Sequence, residues 1–277
     1  MKKVLAISGG VDSMALLDIF GSDTDAVVAH FNHGTRPSAD DDAKFVERTA
    51  RNYGLPFYLG SAKLGANVSE ADARKARYDF LSQVAKKVDG KIYTAHHIND
   101  LVETIAINMM RGTGWRGLSP FGNENVVRVF LESEPKTRAD IDVYASIYSL
   151  VFRQDPTNVE DKYLRNRIRE KVSLMSRDEL LRVFELYKKQ SILRQEIEQI
   201  ISSILPSDGR FNRGDFAELD DDIAAEILRA GLAQIGVSAT RPQILDFLSA
   251  IRNYAPEKSF NLPGGKMVVL HKTYFVL

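Results

Sequence analysis

Short apolar runs alternate with amphipathic stretches through the first half of the chain. Residues 4–7 precede a helical pattern starting near Asp12, 26–31 one starting near Ser38, 57–59 one starting at Ser69, and 92–94 one starting at Ile98. This alternation predicts an α/β fold, a doubly wound parallel sheet with helices on both faces. The strands run into polar residues: Ser8, then His30 and Asn32, then Thr94 to His97. Ligands of such sheets bind beyond the carboxyl ends of the strands, so the cleft is expected there.

The pattern then changes. A short strand over 126–130 and a helix over 137–150 close the sheet domain, and 155–169 reads as a polar, Arg-rich connection, loop or early helix. Over 177–204 apolar residues return at helical spacing, as one long helix or two in sequence. Pro206 and Gly209 break that pattern, and two amphipathic helices follow over 220–235 and 242–251. The end, SFNLPGGKMVVLHKTYFVL, reads as a hairpin turning at Gly264-Gly265 plus a further strand. The expected organisation is a sheet domain over 1–172, a long helical linker over 173–206 and a small α+β domain over 207–277.

Composition narrows the chemistry. A chain of 277 residues, 44% apolar, can bury a sizeable core. It has no cysteine, which excludes disulfides, thiolate zinc sites, iron–sulfur clusters and persulfide chemistry together. Met1-Lys2-Lys3 leads into an apolar run too short for a signal-peptide core, and no later run reaches membrane-span length, so a cytoplasmic location is expected. Thirty-seven basic residues balance 37 acidic ones, which alone argues against a nucleic-acid partner. The distribution says otherwise: 162–194 holds ten Lys or Arg against four Asp or Glu, leaving 27 against 33 elsewhere. A local basic stripe on a mildly acidic body suits one folded polyanion.

Candidate chemistry gathers at the predicted strand ends. Ser8-Gly9-Gly10-Val11-Asp12-Ser13 joins a strand to a helix start, where converging backbone N–H groups and the helix dipole favour a phosphate. No Lys follows, so this is not the G-x-x-x-x-G-K-[ST] loop. Asp12 is suited to a Mg²⁺ that bridges to phosphates, or to capping the helix. His30, Asn32 and His33 can face an adenine and ribose, or form a zinc pair, or be plain loop residues. Glu70, Arg74, Arg77 and Tyr78 share helix faces, either as a solvated salt-bridge surface or as a buttressed Arg for phosphate. His97, Asp100 and Glu103 can converge on the cleft. Two carboxylates beside polyphosphate imply a metal or a cationic substrate, and an amine is the natural cation, since carboxylates both orient it and accept its proton. Gly112-x-Gly114-x-x-Gly117 follows a helix rather than a strand, so it is not a dinucleotide fingerprint. Arg111, Trp115 and Arg116 around it suit a nucleotide base and phosphates instead. Arg165, Arg167, Arg169 and Lys171, behind Asn158, are either a solvated face or contacts to a nucleic-acid backbone.

Five segments in order carry a resemblance. They are Ser8-Gly-Gly-Val-Asp-Ser13, His30-x-Asn-His-Gly-x-Arg36 and Glu70-x-x-Ala-Arg74-x-x-Arg-Tyr78, then His96-His-x-x-Asp-x-x-Glu-Thr104 with Arg111-Gly-x-Gly-x-x-Gly-Leu118, and Asp155-x-x-Asn158 leading to Arg165-Asn-Arg-Ile-Arg169. Together they resemble the PP-loop ATP pyrophosphatases, with an adenine nucleotide alpha hydrolase-like sheet, and within them the tRNA(Ile)-lysidine synthetases. The C-terminal segment is similar to the first C-terminal domain of that family.

The resemblance implies ligation of lysine to carbon 2 of the wobble cytidine of tRNA(Ile) bearing a CAU anticodon. The cytidine is adenylated by ATP with Mg²⁺, pyrophosphate departs, and the lysine ε-amine then displaces AMP. It also implies site roles: Asp12, His97, Asp100 and Glu103 catalytic, with Asp12 holding Mg²⁺; Ser8, Gly9, Gly10, Val11, Asp12, Ser13, His30, Asn32, Arg74 and Arg111 for ATP; Arg116, Arg165, Arg167 and Arg169 for tRNA. The chain departs from the family pattern at Thr35, at Asn99 and Leu101, and at Arg128-Val-Phe-Leu131. Asn99 removes a carboxylate from the expected amine site. The same adenylating chemistry on another RNA or amine, and a catalytically degenerate ATP-binding protein, are the alternatives; homodimerisation is left open.

Overall fold

The computed structural model describes residues 1–34, 39–62, 70–122, 125–132, 134–153 and 163–277. Two compact units divide the chain, Met1–Lys188 and Lys189–Leu277.

The first unit is built on five parallel strands, β1 (Lys2–Ala6), β2 (Ala26–Asn32), β3 (Phe57–Ser61), β4 (Gly90–Thr94) and β5 (Val126–Arg128), in the order β3-β2-β1-β4-β5. The chain runs outward from β1 through β2 to β3 and then crosses to β4 on the other side of β1, so the order reverses between β1 and β4. A crevice opens at such a reversal because the flanking connections leave in opposite directions. The register pairs Lys2 with Gly90 and Leu5 with Tyr93, which sets the turns after both strands side by side.

The intervening helices are α1 (Val11–Phe20), α2 (Ala39–Asn52), α3 (Glu70–Val88), α4 (Ile98–Met110) and α5 (Arg138–Ile147). One face of the sheet packs Leu5, Ile7 and Val28 on Leu16 and Leu17 of α1, Phe45 and Val46 of α2, and Ile141 of α5. The opposite face packs Val4, Ala6, Val27 and Ile92 on Leu81 and Val84 of α3. Strands buried on both faces explain why these segments read as nearly continuous apolar runs.

The expected strand over 126–130 ends at Arg128, and Val129–Leu131 is a 3-10 turn. The expected helix over 137–150 is Arg138–Ile147, entered through a capping box in which Thr137 and Asp140 satisfy each other's backbone N–H. Of the Arg-rich connection, Asp155 and Asn158 lie outside the described residues, as do Arg36, Ser38 and Ser69, while α6 (Tyr163–Ser173) is regular helix. Ile168 and Val172 of α6 and Leu180 and Phe184 bury against Ile98, Leu101 and Ile105 of α4, and this packing selects helix over loop. The 177–204 pattern forms one helix, α7 (Arg177–Ile204), of 28 residues.

In the second unit, β6 (Arg210–Asn212), α8 (Asp215–Glu218), α9 (Asp221–Gln234), α10 (Arg241–Asn253), β7 (Lys258–Asn261), β8 (Met267–Leu270) and β9 (Tyr274–Val276) surround Phe247 and Phe275, both fully buried. The expected hairpin is β7–β8, turning through Pro263–Gly265 with Gly264 and Gly265 at φ +77° and +78°; the further strand β9 pairs antiparallel with β6. Among the described residues no helix is long and apolar enough to cross a membrane.

A Cβ at Gly90 would stand 2.5 Å from the Lys2 carbonyl oxygen, inside the β1–β4 pairing. Gly90→Ala is therefore expected to cost about 2 kcal/mol or more of stability. Gly54→Ala, at φ +69° but in open space, costs about 1 kcal/mol. Thermal or denaturant unfolding of the two variants checks the order.

Candidate active site

Between β1 and α1 the chain turns through Gly9 at φ +97°, a conformation that L side chains rarely adopt, and Gly10 caps the helix. The Ser13 hydroxyl accepts from the backbone N–H of Ser8 (3.2 Å) and Gly9 (3.1 Å) and donates to the Gly10 carbonyl (2.9 Å). Ser13 thus braces the loop from within. The anion-binding capacity moves to the first-turn N–H groups of Val11, Asp12 and Ser13, which have no intrahelical acceptor. A small cavity of ≈ 130 Å³ is lined here by Ser8, Asp12, Ser13, Arg77 and His96.

His97 ends the loop after β4 and caps α4. Its Nδ1 accepts from the Asp100 N–H (3.4 Å) while the His97 N–H donates to Asp100 Oδ2 (3.0 Å). With Nδ1 accepting, a neutral imidazole carries its proton on Nε2. That atom lies 3.7 Å from Asp12 Oδ1 and 3.5 Å from Asp100 Oδ2. Neighbouring strand ends have therefore brought Asp12, His97 and Asp100 together from two separate helix starts. Glu103 follows one turn later.

A cavity of ≈ 620 Å³ is lined by Asp12, His97, Asn99, Asp100, Glu103, Arg138, Asp142, Arg169 and Arg177, among others. A neighbouring one of ≈ 690 Å³ shares Asp100, Glu103 and Arg169 and adds Arg74, His96, Thr104, Asn108, Arg111, Phe121 and Arg165. One compartment is thus mixed acidic and basic, the other ringed by arginines, and a carboxylate pair forms their common wall.

Burial raises the Asp12 carboxyl above its ordinary value, against His97 and the Arg138 guanidinium 3.4 Å away. Its Oδ1 is buried without a hydrogen-bond partner. An orphaned carboxylate oxygen at the mouth of a phosphate loop fits a magnesium ligand. Among the described residues no group of three or more His, Asp or Glu side chains is arranged to hold a metal, so such an ion would complete its shell with phosphate oxygens and water. Glu103 is 8% exposed, and burial pushes its carboxyl up to about 7, opposed by Arg169 at 3.7 Å. His96 is pushed down to about 3 by burial; its Nδ1 pairs with Thr94 Oγ1 at 2.9 Å and its ring lies 5.6 Å from Phe121. It is a neutral wall, not a base.

The other expected site residues divide. His30 is buried, its Nδ1 donating to the Ile7 carbonyl at 2.8 Å, with burial lowering its pKa. Asn32 accepts from the Gly34 N–H and donates to Asp40, so its amide closes a local turn. The tautomer left to His30 keeps Nε2 as an acceptor; Asn32 has its carbonyl and one N–H engaged. Arg165 and Arg169, one helical turn apart on α6, both line the arginine compartment, whereas Arg167 is exposed. Arg116 stacks over Trp115 at 4.8 Å and lines none of these cavities.

Sequence reasoning missed Arg138, Asp142 and Arg177, which enter from α5 and the start of α7, and it did not separate Arg77 from Arg74 as the arginine beside the first loop. The only local signal was the Thr137-x-x-Asp140 capping box, which marks where a helix starts but not which cavity its first turn faces. Asn99 also changes meaning: its Oδ1 accepts from the Arg138 N–H at 2.9 Å, anchoring α5 at the cavity rim.

A carboxyl whose folded-state pKa lies above its unfolded value confers stability in full below about 4.5 and loses it as pH rises through about 7. Glu103→Gln cannot ionise. The wild-type unfolding free energy is expected to fall relative to that of Glu103→Gln between about pH 5 and 8, by roughly 3 kcal/mol at most. Parallel stability curves for the two proteins would refute the buried, raised carboxyl.

Several curated proteins align with the first two thirds of the chain. The tRNA(Ile)-lysidine synthase of Geobacter sulfurreducens is 40% identical over 185 residues, 61% of this chain and 39% of that protein. The bifunctional protein TilS/HprT of Listeria monocytogenes is 32% identical over 221 residues, 73% of this chain and 34% of that protein. The chain thus spans well under half the length of these relatives. Among solved structures, the U34-tRNA thiolase NcsA from Methanococcus maripaludis, with its [4Fe-4S] cluster, aligns at TM-score 0.56 and 13% identity, covering 70% of this chain and 73% of that one, a likeness of fold alone. A family model for the PP-loop domain matches residues 1–175. With that match extending over most of the first unit, and the loop, its glycines and its Asp12 standing where the sheet reverses, the chain belongs to the PP-loop domain family.

Proposed function

We propose that the chain joins free L-lysine to carbon 2 of the wobble cytidine in tRNA(Ile) with a CAU anticodon, consuming ATP and releasing AMP and pyrophosphate. The observation that carries this reading is the carboxylate pair Asp100 and Glu103, set between the phosphate-loop compartment and an arginine-ringed one. Relatives named tRNA(Ile)-lysidine synthase, at 38–40% identity over this region, support it.

In the first step the cytidine O2 attacks the α-phosphorus of ATP; the bond to the β-phosphate oxygen breaks and pyrophosphate leaves. The first-turn N–H groups of α1 and the Arg77 guanidinium stabilise the charge that grows on the leaving group. A Mg²⁺ held by Asp12 would supply further neutralisation there. In the second step lysine enters as an ammonium ion and must lose a proton. Glu103 is suited to take it, because a carboxyl with a pKa near 7 is half ionised at neutral pH. The free amine attacks carbon 2, and the carbon–oxygen bond to AMP breaks.

Arg74 and Arg111, with Arg165 and Arg169, form the cationic, anion-binding side of the site, for ATP and for the tRNA backbone. Arg167, Arg116 and residues 207–277 are assigned further tRNA contacts, residues 1–172 the chemistry and 173–206 the link between the two. His30 and Asn32 are assigned to shaping the adenine end, and the reaction to the cytoplasm.

Incubation with ATP, Mg²⁺, labelled lysine and the CAU tRNA is expected to release AMP in step with label entering the tRNA. Asp12→Ala should lower both by about 100-fold or more, as loss of an electrostatic stabiliser does. Glu103→Ala should spare tRNA-dependent pyrophosphate exchange and lower lysine transfer by about 100-fold. AMP without label would point to another amine, and neither product to an ATP-binding protein without catalysis.

A further inference from the structure

Gly112-x-Gly114-x-x-Gly117, which is no dinucleotide fingerprint, has a use in the fold: it clamps one side chain. Asn108, in the last turn of α4, donates from Nδ2 to the Gly117 carbonyl at 3.2 Å, and its backbone carbonyl accepts from the Thr113 hydroxyl at 3.0 Å. A Cβ at Gly117 would overlap Thr113 Oγ1 and stand 3.0 Å from Asn108 Cβ, so the turn closes over this amide because a glycine stands there. A carbonyl can only accept, which fixes the Asn108 amide with its nitrogen towards Gly117 and its Oδ1 turned away. Oδ1 itself makes no hydrogen bond among the described residues. Asn108 lines the arginine-ringed compartment together with Phe121, whose ring has the Arg128 guanidinium 4.3 Å above it and the His96 ring 5.6 Å away. With Ile107, Pro120 and Leu164, Phe121 gives that compartment an apolar wall beside one oriented acceptor.

We propose that this compartment takes the wobble base itself, with Phe121 and its apolar neighbours against the ring and Asn108 Oδ1 accepting from the exocyclic 4-amino group, so that Asn108 selects cytosine over uracil. The proposal deepens the ligation reading and rests on it. A base attacked at carbon 2 must place that carbon beside the amine, and Asp100 and Glu103 line the same compartment as Asn108. Asn108 lies five residues beyond Glu103 on α4, roughly 7.5 Å along the helix axis. Carbon 2 and the 4-amino group flank ring nitrogen 3, so one base can meet the incoming amine near Glu103 at one corner and the amide at the next. Uracil carries a carbonyl oxygen at position 4, and facing Oδ1 it would oppose two acceptors with no proton between them. The clamp sharpens this choice, because Asn108 cannot turn its nitrogen towards a keto group without abandoning Gly117. Arg74, Arg111 and Arg165 around the same space suit the phosphates on either side of an extruded nucleotide. The adenine of ATP also bears an exocyclic amine; the neighbouring carboxylates favour cytosine, because the carbon that lysine attacks belongs to it.

The test compares the ordinary CAU tRNA with one whose wobble base is pyrimidin-2-one, which is cytosine without the 4-amino group, reading AMP release and labelled lysine in the tRNA. Removing the amino group is expected to lower kcat/KM about ten times more in the wild type than in Asn108→Leu, which has no acceptor to leave unpaired. Taking the ratio of the two losses cancels the different intrinsic reactivity of the two bases. Asn108→Ser, a smaller change, should behave as Asn108→Leu does and replaces it if the leucine variant does not fold. A merely structural Asn108 would lower activity on both tRNAs alike, and such an equal loss, with product still forming, overturns the base reading alone. A wild type that makes neither AMP nor labelled product from the cytidine tRNA removes the ligation reading, and this one with it. Purine riboside triphosphate, which is ATP without its 6-amino group, supplies the last arm. If the tenfold coupling to Asn108 appears with that nucleotide and not at the wobble base, the amide reads adenine and the proposal is overturned.

Discussion

The pairing of β1 with β4 is the constraint on which the site depends. Lys2 to Leu5 run in parallel register with Gly90 to Tyr93, so the turns that follow both strands leave the sheet at the same height on adjacent tracks. One turn carries Gly9, Gly10 and Asp12; the other carries His96 and His97. Among the described residues no other strand pair joins the two connections across the point where the order reverses. Hydrogen bonds between backbones, spaced by the pleat, thus set the distance between an anion-binding helix start and a histidine 85 positions away in sequence.

What grows from that juxtaposition is an electrostatic arrangement in which burial does most of the tuning. Asp12 and Glu103 both have raised pKa values because water is excluded from them, and each is only partly offset by a guanidinium, Arg138 for Asp12 and Arg169 for Glu103. A carboxylate held this way responds strongly to any new cation, since a metal or an ammonium replaces solvation that the fold has removed. His96, half-buried and kept neutral by desolvation, lines both the small cavity at the first loop and the arginine compartment without adding charge. The result is a wall of acids between two spaces of different character.

The second unit is held by different means. Phe247 and Phe275 anchor a small core, and two arginines stitch its loops by donating to backbone carbonyls: Arg213 to Ile251, His271 and Tyr254, and Arg252 to Phe216 and Leu219. These two basic residues are thus structural.

Much of this was legible in the chain. Alternating apolar and amphipathic runs determine a parallel α/β sheet, because strands buried on both faces must be apolar throughout and helices buried on one face must be apolar on one stripe. Gly9 and Gly10 between a strand and a helix determine a tight turn there, because glycine alone reaches the positive φ that Gly9 takes. Asp100 and Glu103 at helical spacing announce a shared face, because i and i+3 project together, and His97 joins them by capping the same helix. Other features are not local. That Arg138 faces Asp12, that Asn99 anchors α5, that Arg165 turns inward while Arg167 turns out, and that residues after Tyr163 are helix rather than loop all follow from contacts between segments distant in sequence. Periodicity reports which face of an element is apolar. Only tertiary packing decides what that face, and the charges beside it, will meet.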